Sequence, residues 1–286
     1  MNRIKTWVLI AALGGLFVVI GGAIFHSTGG LVIGLVFGLG FNFAMYWFSA
    51  KIATATTRSK PVTEQEYPQL YRIVRELTQA KGMPMPQIYV SDMAQPNAFA
   101  TGRDPHHAVV AVTKGILQLV DERELRGVLA HELSHVENRD ILIGSIAAGI
   151  GMSILFITRF AFFFGNDREG GIFGLLLAWI LAPIAAAIIQ MAVSRSREYQ
   201  ADDSGAHLSH DPMALASALQ KLETYGKRIP PPRSVQPSEA HMFIVNPYAG
   251  FKGGGVVSMF STHPPTADRI ARLQKIAQEL GQPTTT

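Results

Sequence analysis

His131-Glu132-Leu133-Ser134-His135 lies in a stretch of helical periodicity that runs within a turn or two into an apolar segment of membrane length. Residues four apart on a helix share a face, so His131 and His135 present two imidazole nitrogens toward one metal ion. Glu132, one position on from the first histidine, is placed to reach a metal-bound water rather than the metal. This is the residue pattern of zinc-assisted peptide hydrolysis, in which a carboxylate takes a proton from water that the ion has made acidic. Two helix-face histidines with no metal are the competing reading, and context has to decide.

Composition supplies part of that context. The chain has 286 residues, 48% of them hydrophobic and only 16% charged, against about 25% charge in an ordinary soluble domain. Part of it is therefore expected in a lipid bilayer. The net charge is +4, with basic residues gathered at the ends of apolar runs, where they read as topology signals and not as contacts to nucleic acid. There is no cysteine, which excludes disulfides and leaves His and carboxylate as the available zinc ligands.

Four transmembrane helices are expected, over about 6–25, 31–50, 141–164 and 172–193, each near the roughly 20 residues that cross the hydrocarbon core. A signal peptide is disfavoured for the first, because no convincing small-residue cleavage site follows and the second run begins almost at once. Gly30, Gly34 and Gly38 recur every fourth residue, a small-residue face expected to pack on another helix of the same chain. Arg3 and Lys5 precede the first span, Lys51, Arg58 and Lys60 follow the second, and Arg195 and Arg197 follow the last. The positive-inside rule then puts both termini in the cytoplasm. The chain divides into a transmembrane hairpin (1–55), a first cytoplasmic part carrying the motif (56–140), a second hairpin (141–193) and a second cytoplasmic part (194–286).

Within the cytoplasmic parts, an amphipathic helix from Thr63 onward turns Leu70, Ile73, Val74 and Leu77 inward and closes at Gly82 and Pro84. Gln87–Ser91 and Ala108–Thr113 read as strands, with Pro96 to Gly102 between them. Asp121 with Glu124 three residues on is a capping box for a helix over Glu122–Asp140. A helix over Pro212–Tyr225, a mobile proline- and glycine-rich loop over 227–255 and a closing helix over Thr266–Leu280 complete the chain. The fold class is a mainly α membrane protein: four transmembrane helices plus a cytoplasmic α+β zinc-peptidase domain with a small β-sheet.

Geometry nominates a third ligand. His135 lies six residues before Ile141 and Glu198 five after Val193, so on continuous helices each stands about 8 to 9 Å beyond a membrane end. A hairpin then brings Glu198 level with the two histidines. Asp202, one turn on, is a candidate to accept a ligand histidine's ring N–H. The alternative leaves Glu198 paired with Arg195 or Arg197.

His131-Glu132-x-x-His135 leading into Val136 to Asp140, then Glu198-Tyr199-Gln200-Ala201-Asp202, Pro96 to Gly102 and Ser261-Thr262-His263-Pro264-Pro265 together resemble the HtpX membrane metalloproteases. Those are gluzincins related to the CAAX prenyl-protein proteases, and the likeness covers nearly the whole chain. It implies one zinc ion on His131, His135 and Glu198, with Glu132 as catalytic base. It also implies an endopeptidase of the bacterial cytoplasmic membrane, acting in stress response and quality control on misfolded membrane-protein or unfolded polypeptide substrates. Association with other membrane quality-control proteases is implied as well.

Other residues are candidates for substrate contact. Ala98, Phe99 and Ala100 are expected on an edge strand beside the zinc that holds an extended peptide through its backbone, with Asn97 helping to position the scissile carbonyl. An ordinary turn is the alternative. His263 is a candidate donor to the transition-state oxyanion with Arg269 supporting it, against a helix-capping or buried structural histidine. His106, His107, His207, His210 and His241 read as surface positions. A CAAX-type prenyl-peptide protease, or a non-catalytic membrane scaffold or metal-binding protein, are the alternative functions; the intact Glu132 argues against the latter.

Overall fold

The computed structural model describes residues 27–141, 195–226, 228–230, 235, 242–246 and 264–284, with residues 8, 11, 14, 15, 17–19, 21 and 22 near the N-terminus. The expected third and fourth spans, Ile141 excepted, lie outside the described residues, as do His241 and His263.

Helix α1, Thr28–Thr56, starts where the Ser27 hydroxyl accepts the Gly30 N–H. Its 29 residues make about 43 Å at 1.5 Å per residue, more than the roughly 30 Å hydrocarbon core. Among the described residues it is the one helix long and apolar enough to cross a membrane, and Leu31, Val32, Val36, Phe37 and Leu39 stand exposed along it. Gly30, Gly34 and Gly38 are its buried face. A Cβ on Gly34 would come within 2.3 Å of the Phe17 carbonyl oxygen, so only glycine admits the preceding helical stretch so closely. The glycine stripe is thus used within the chain. α1 also outruns the expected 31–50: its last turns carry Ala53 onto Phe99 and Ala111, welding the helix to the sheet that follows.

That sheet has four strands, β1 (Ser59–Pro61), β2 (Gln87–Ser91), β3 (Ala98–Gly102) and β4 (Ala108–Thr113), in the order β1-β2-β4-β3. β2 and β4 pair in parallel, and β1 and β3 flank them antiparallel, leaving β3 at an edge. β2 and β4 match their expected bounds: β4 is a fully buried run rich in β-branched residues, and β2 buries Ile88 and Val90 on alternate positions. Helix α2 (Pro68–Ala80) buries Leu70, Ile73, Val74 and Leu77, the face that its periodicity predicts. A short helix, α3 (Lys114–Leu119), leads from β4 to α4 (Glu122–Glu137).

α4 is the central element, packed between the sheet and helices α5 (Arg195–Ser209) and α6 (Pro212–Gly226), with α7 (Thr266–Glu279) behind them. Its capping box forms as expected: Asp121 accepts the Glu124 N–H at 2.8 Å and Glu124 accepts the Asp121 N–H at 2.9 Å. Glu124 is itself buried and also receives Ser217 and Lys221 from α6, which pins the start of α4. Val128, Leu129 and Leu133 are fully buried.

One expectation is corrected. The motif helix does not reach Asp140; it ends at Glu137. Arg139 adopts φ +59°, its N–H reaches the Val136 carbonyl, and the Asp140 N–H reaches back to the His135 carbonyl. This paired closure is a Schellman turn built on arginine where glycine is usual, and it interrupts the continuous helix from which the height of His135 above the membrane was reckoned. Of the loop expected over 227–255, residues 228–230, 235 and 242–246 are described. Met242 to Asn246 is docked, with Phe243 and Ile244 buried, because that apolar run gains by leaving water.

Candidate metal centre

Two successive turns of α4 and the first turns of α5 supply the cluster. His131 and His135 stand on one face of α4 with ring centroids 4.9 Å apart. From α5, Glu198 places Oε2 3.7 Å from His131 Nε2 and Oε1 3.5 Å from His135 Nε2. One ligand atom from each of these three residues lies within 4.8 Å of the others. Gly205 makes the approach feasible: a Cβ there would stand 2.8 Å from the His131 backbone nitrogen. No hydropathy pattern points to that glycine, whose signal is a tertiary contact.

Each histidine is held from behind by a carboxylate. His131 Nδ1 lies 3.0 Å from Asp202 Oδ1, as its position one turn after Glu198 suggested. Arg269 on α7 grips the same carboxylate with Nε at 2.8 Å and Nη2 at 2.6 Å. Its Nη2 is also 3.5 Å from His131 Nδ1, but it already donates to Asp202, and a carboxylate can only accept. Nδ1 is therefore assigned the proton, leaving Nε2 as the lone-pair nitrogen. Arg269 thus serves Asp202 and His131; a contact to His263 lies outside the described residues. His135 Nδ1 lies 3.3 Å from Asp140 Oδ2, a partner that the spacing did not reveal, since only the left-handed turn at Arg139 aims it there.

Charge and burial shape these groups further. Burial works against the ionised form of Asp202, yet Arg269 and His131 outweigh it and hold the carboxyl well below the usual range. Burial opposes charging His135, but the bond to Asp140 and the nearby Glu198 and Glu132 carboxylates push it up to about 9. Burial raises Glu132, with His131 and His135 working the other way. A carboxyl raised toward neutrality is suited to carrying a proton between two partners.

The donor set fits a metal ion. Two imidazoles whose Nδ1 atoms face carboxylates turn both Nε2 atoms toward a third carboxylate, the arrangement that orients histidine ligands around zinc. Glu132 is not aimed at this group in the same way. Its Oε2 accepts the Ala100 N–H at 3.0 Å, so it sits between the metal cluster and β3. In an antiparallel strand the backbone groups alternate, so Ala98, Ala100 and Gly102 face away from β4.

Asn97 is placed differently from expectation. It is fully buried, its amide donates to the Met242 carbonyl at 3.0 Å and its Oδ1 accepts the Ile244 N–H at 3.0 Å. It fastens the 242–246 segment beside β3, and these bonds turn its amide to that segment. His106, His107, His207 and His210 are exposed.

The sequence profile of Peptidase family M48 matches residues 64–277. A "Protease HtpX homolog" of Ralstonia pickettii (strain 12J) is 52% identical over 97% of this chain and 97% of its own. Another, from Persephonella marina (strain DSM 14350 / EX-H1), is 50% identical over 98% and 99%. A third, from Pelotomaculum thermopropionicum (strain DSM 13744 / JCM 10971 / SI), is 49% identical over 97% and 100%. The crystal structure of S. mikatae Ste24p superposes with a TM-score of 0.52 over 95% of this chain and 65% of that one, at 21% identity, a likeness of fold.

Proposed function

Because the chain belongs to peptidase family M48, as a membrane metalloprotease similar throughout to HtpX homologues, we propose that its metal is zinc and that it hydrolyses peptide bonds of misfolded or damaged membrane proteins at the cytoplasmic face of the bacterial inner membrane. The observation that carries this reading is the convergence of His131, His135 and Glu198 within 4.8 Å, with Glu132 between them and strand β3. Four spans with both termini in the cytoplasm, and association with other membrane quality-control proteases, belong to the same proposal.

His131 Nε2, His135 Nε2 and a Glu198 oxygen would hold the ion. When bound, zinc supplies Lewis acidity, lowering the pKa of a water to about 7 and polarising a carbonyl. The protein's own residues do the rest. β3 offers the Ala98 backbone groups and the Ala100 carbonyl to an extended peptide, aligning its scissile bond with Glu132. Glu132 takes the proton of the attacking water and passes it to the leaving amine. Asp202 and Asp140 keep both imidazoles in the ligating tautomer. His263, ahead of α7, is proposed to donate to the oxygen that gains charge.

The test compares wild-type protein with Glu132→Gln in a zinc-supplemented assay on an unfolded membrane substrate. The variant should keep its zinc and lose cleavage; cleavage at the wild-type rate would remove Glu132 from its role.

A further inference from the structure

Strand β3 and the end of α1 run side by side in opposite directions. At one level Phe99 packs on Ala53 beside Ala111. At the other, the Arg103 guanidinium sits 4.5 Å from the centre of the Trp47 ring. From Trp47 to Ala53 is about 9 Å of helix, and from Phe99 to Arg103 about 13 Å of extended chain. Tied at both ends, β3 lies along the last turns of α1 and not across them.

Side chains mark where the membrane surface meets this pair. Up to Phe43 and Trp47, α1 leaves large apolar side chains exposed. Trp47 then meets Phe43 in a tilted contact and Tyr46 edge to face, at ring-centroid distances of 5.9 and 5.7 Å, and the helix's first charge follows at Lys51. Tryptophan and tyrosine, with an apolar body and a polar tip, settle at headgroup level. The Arg103 guanidinium therefore stands at that level too. Ala100, three residues back along the chain, is about 10 Å of extended backbone from Arg103, and there its N–H meets Glu132.

We infer that β3 is a juxtamembrane ruler: the weld to α1 holds the reacting position about 10 Å above the headgroup level, with the bound peptide directed along the membrane normal. At about 3.3 Å per extended residue, this selects bonds roughly two to six residues beyond the end of a substrate's own transmembrane segment. The inference rests on the proposed pairing of substrate with β3 and on Glu132 as base, and adds to them where along a substrate the cut falls. The substrate class is a membrane-anchored polypeptide with an unfolded juxtamembrane segment.

The test uses the full-length protein with zinc in vesicles of phosphatidylethanolamine and phosphatidylglycerol. Its substrate is a single-span polypeptide with a uniform, unstructured tail of about 40 residues, and cut sites are mapped by mass spectrometry. A soluble unfolded polypeptide is the control. Cuts in the tail should cluster within about six residues of the span. Replacing both partners of the headgroup-level tie, Trp47→Ala with Arg103→Ala, should spread the cuts outward while cleavage of the soluble polypeptide stays unchanged. Wild-type cuts spread evenly along the tail, or a distribution still narrow in the double variant, would overturn the ruler. Failure of the wild type to cut either substrate would overturn the proposed activity on unfolded polypeptides, and the ruler with it.

Discussion

His131 and His135 share a helix face and a chemistry, yet they are held by different means. His131 is clamped from afar: Asp202 comes from α5, Arg269 from α7, and all three are nearly inaccessible, with side-chain exposures of 3%, 1% and 2%. His135 is held locally by Asp140, five residues on, at a turn that places an arginine in a left-handed conformation. Asp140 also faces Arg197, 3.7 Å away beside Glu198, so the local arrangement still joins two ligand-bearing segments. The contrast assigns rigidity to the His131 side and adjustability to the His135 side, which is 16% exposed.

Breaking the far clamp should cost most. Arg269→Ala leaves the Asp202 carboxylate buried beside His131, and loss of one partner of a buried pair costs about 3 to 5 kcal/mol. Denaturant unfolding of the solubilised full chain should show that loss. Gly205→Ala forces α5 off the His131 backbone and should destabilise by about 1 to 3 kcal/mol, with weaker zinc binding measured by competition with a chelator. Asp140→Asn tests the local side. It should lower metal affinity by about 10- to 100-fold, as expected for a group that orients a histidine ligand, with a smaller loss of stability than Arg269→Ala. Equal losses from the two would erase the distinction.

Protonation sharpens the comparison. In metal-free protein, His135 titrates near 9 against an ordinary 6.5. A raised value means that its stabilising contribution is whole below about pH 6.5 and is lost as pH rises through about 9. The melting temperature of chelated protein should fall across that window. Asp140→Asn should flatten the fall, and restoring zinc should remove it, because metal binding requires the unprotonated imidazole. The smallest effect belongs to the turn: Arg139→Gly relieves a left-handed arginine and should stabilise by up to about 1 kcal/mol, leaving metal affinity unchanged.

What could be read from residue order follows the range of the interactions. The capping box at Asp121 and Glu124, the strands Gln87–Ser91 and Ala108–Thr113 and the buried face of α2 are local patterns, and they stand where periodicity places them. The pairing of His131 with Asp202 was reachable because Glu198 and Asp202 share one face of α5. Asp140 was not, because its aim depends on a positive φ at Arg139 that no residue preference announces. Asn97 fastening Met242 and Ile244, 145 and 147 residues away, is equally silent in sequence. So is the Arg269 grip on Asp202 across 67 residues. The run of α1 past Lys51 to Thr56 is silent in sequence for a different reason: hydropathy reports where lipid ends, and the helix continues because Ala53 gains a partner in the sheet.

The most direct test of the metal centre is zinc content per chain, measured on purified full-length protein and on Glu198→Ala after identical exposure to zinc and removal of excess. Wild type should hold one zinc ion and the variant much less, because two histidines remain where three ligands converged. Undiminished, stoichiometric zinc in Glu198→Ala would contradict the assignment of that glutamate as the third ligand.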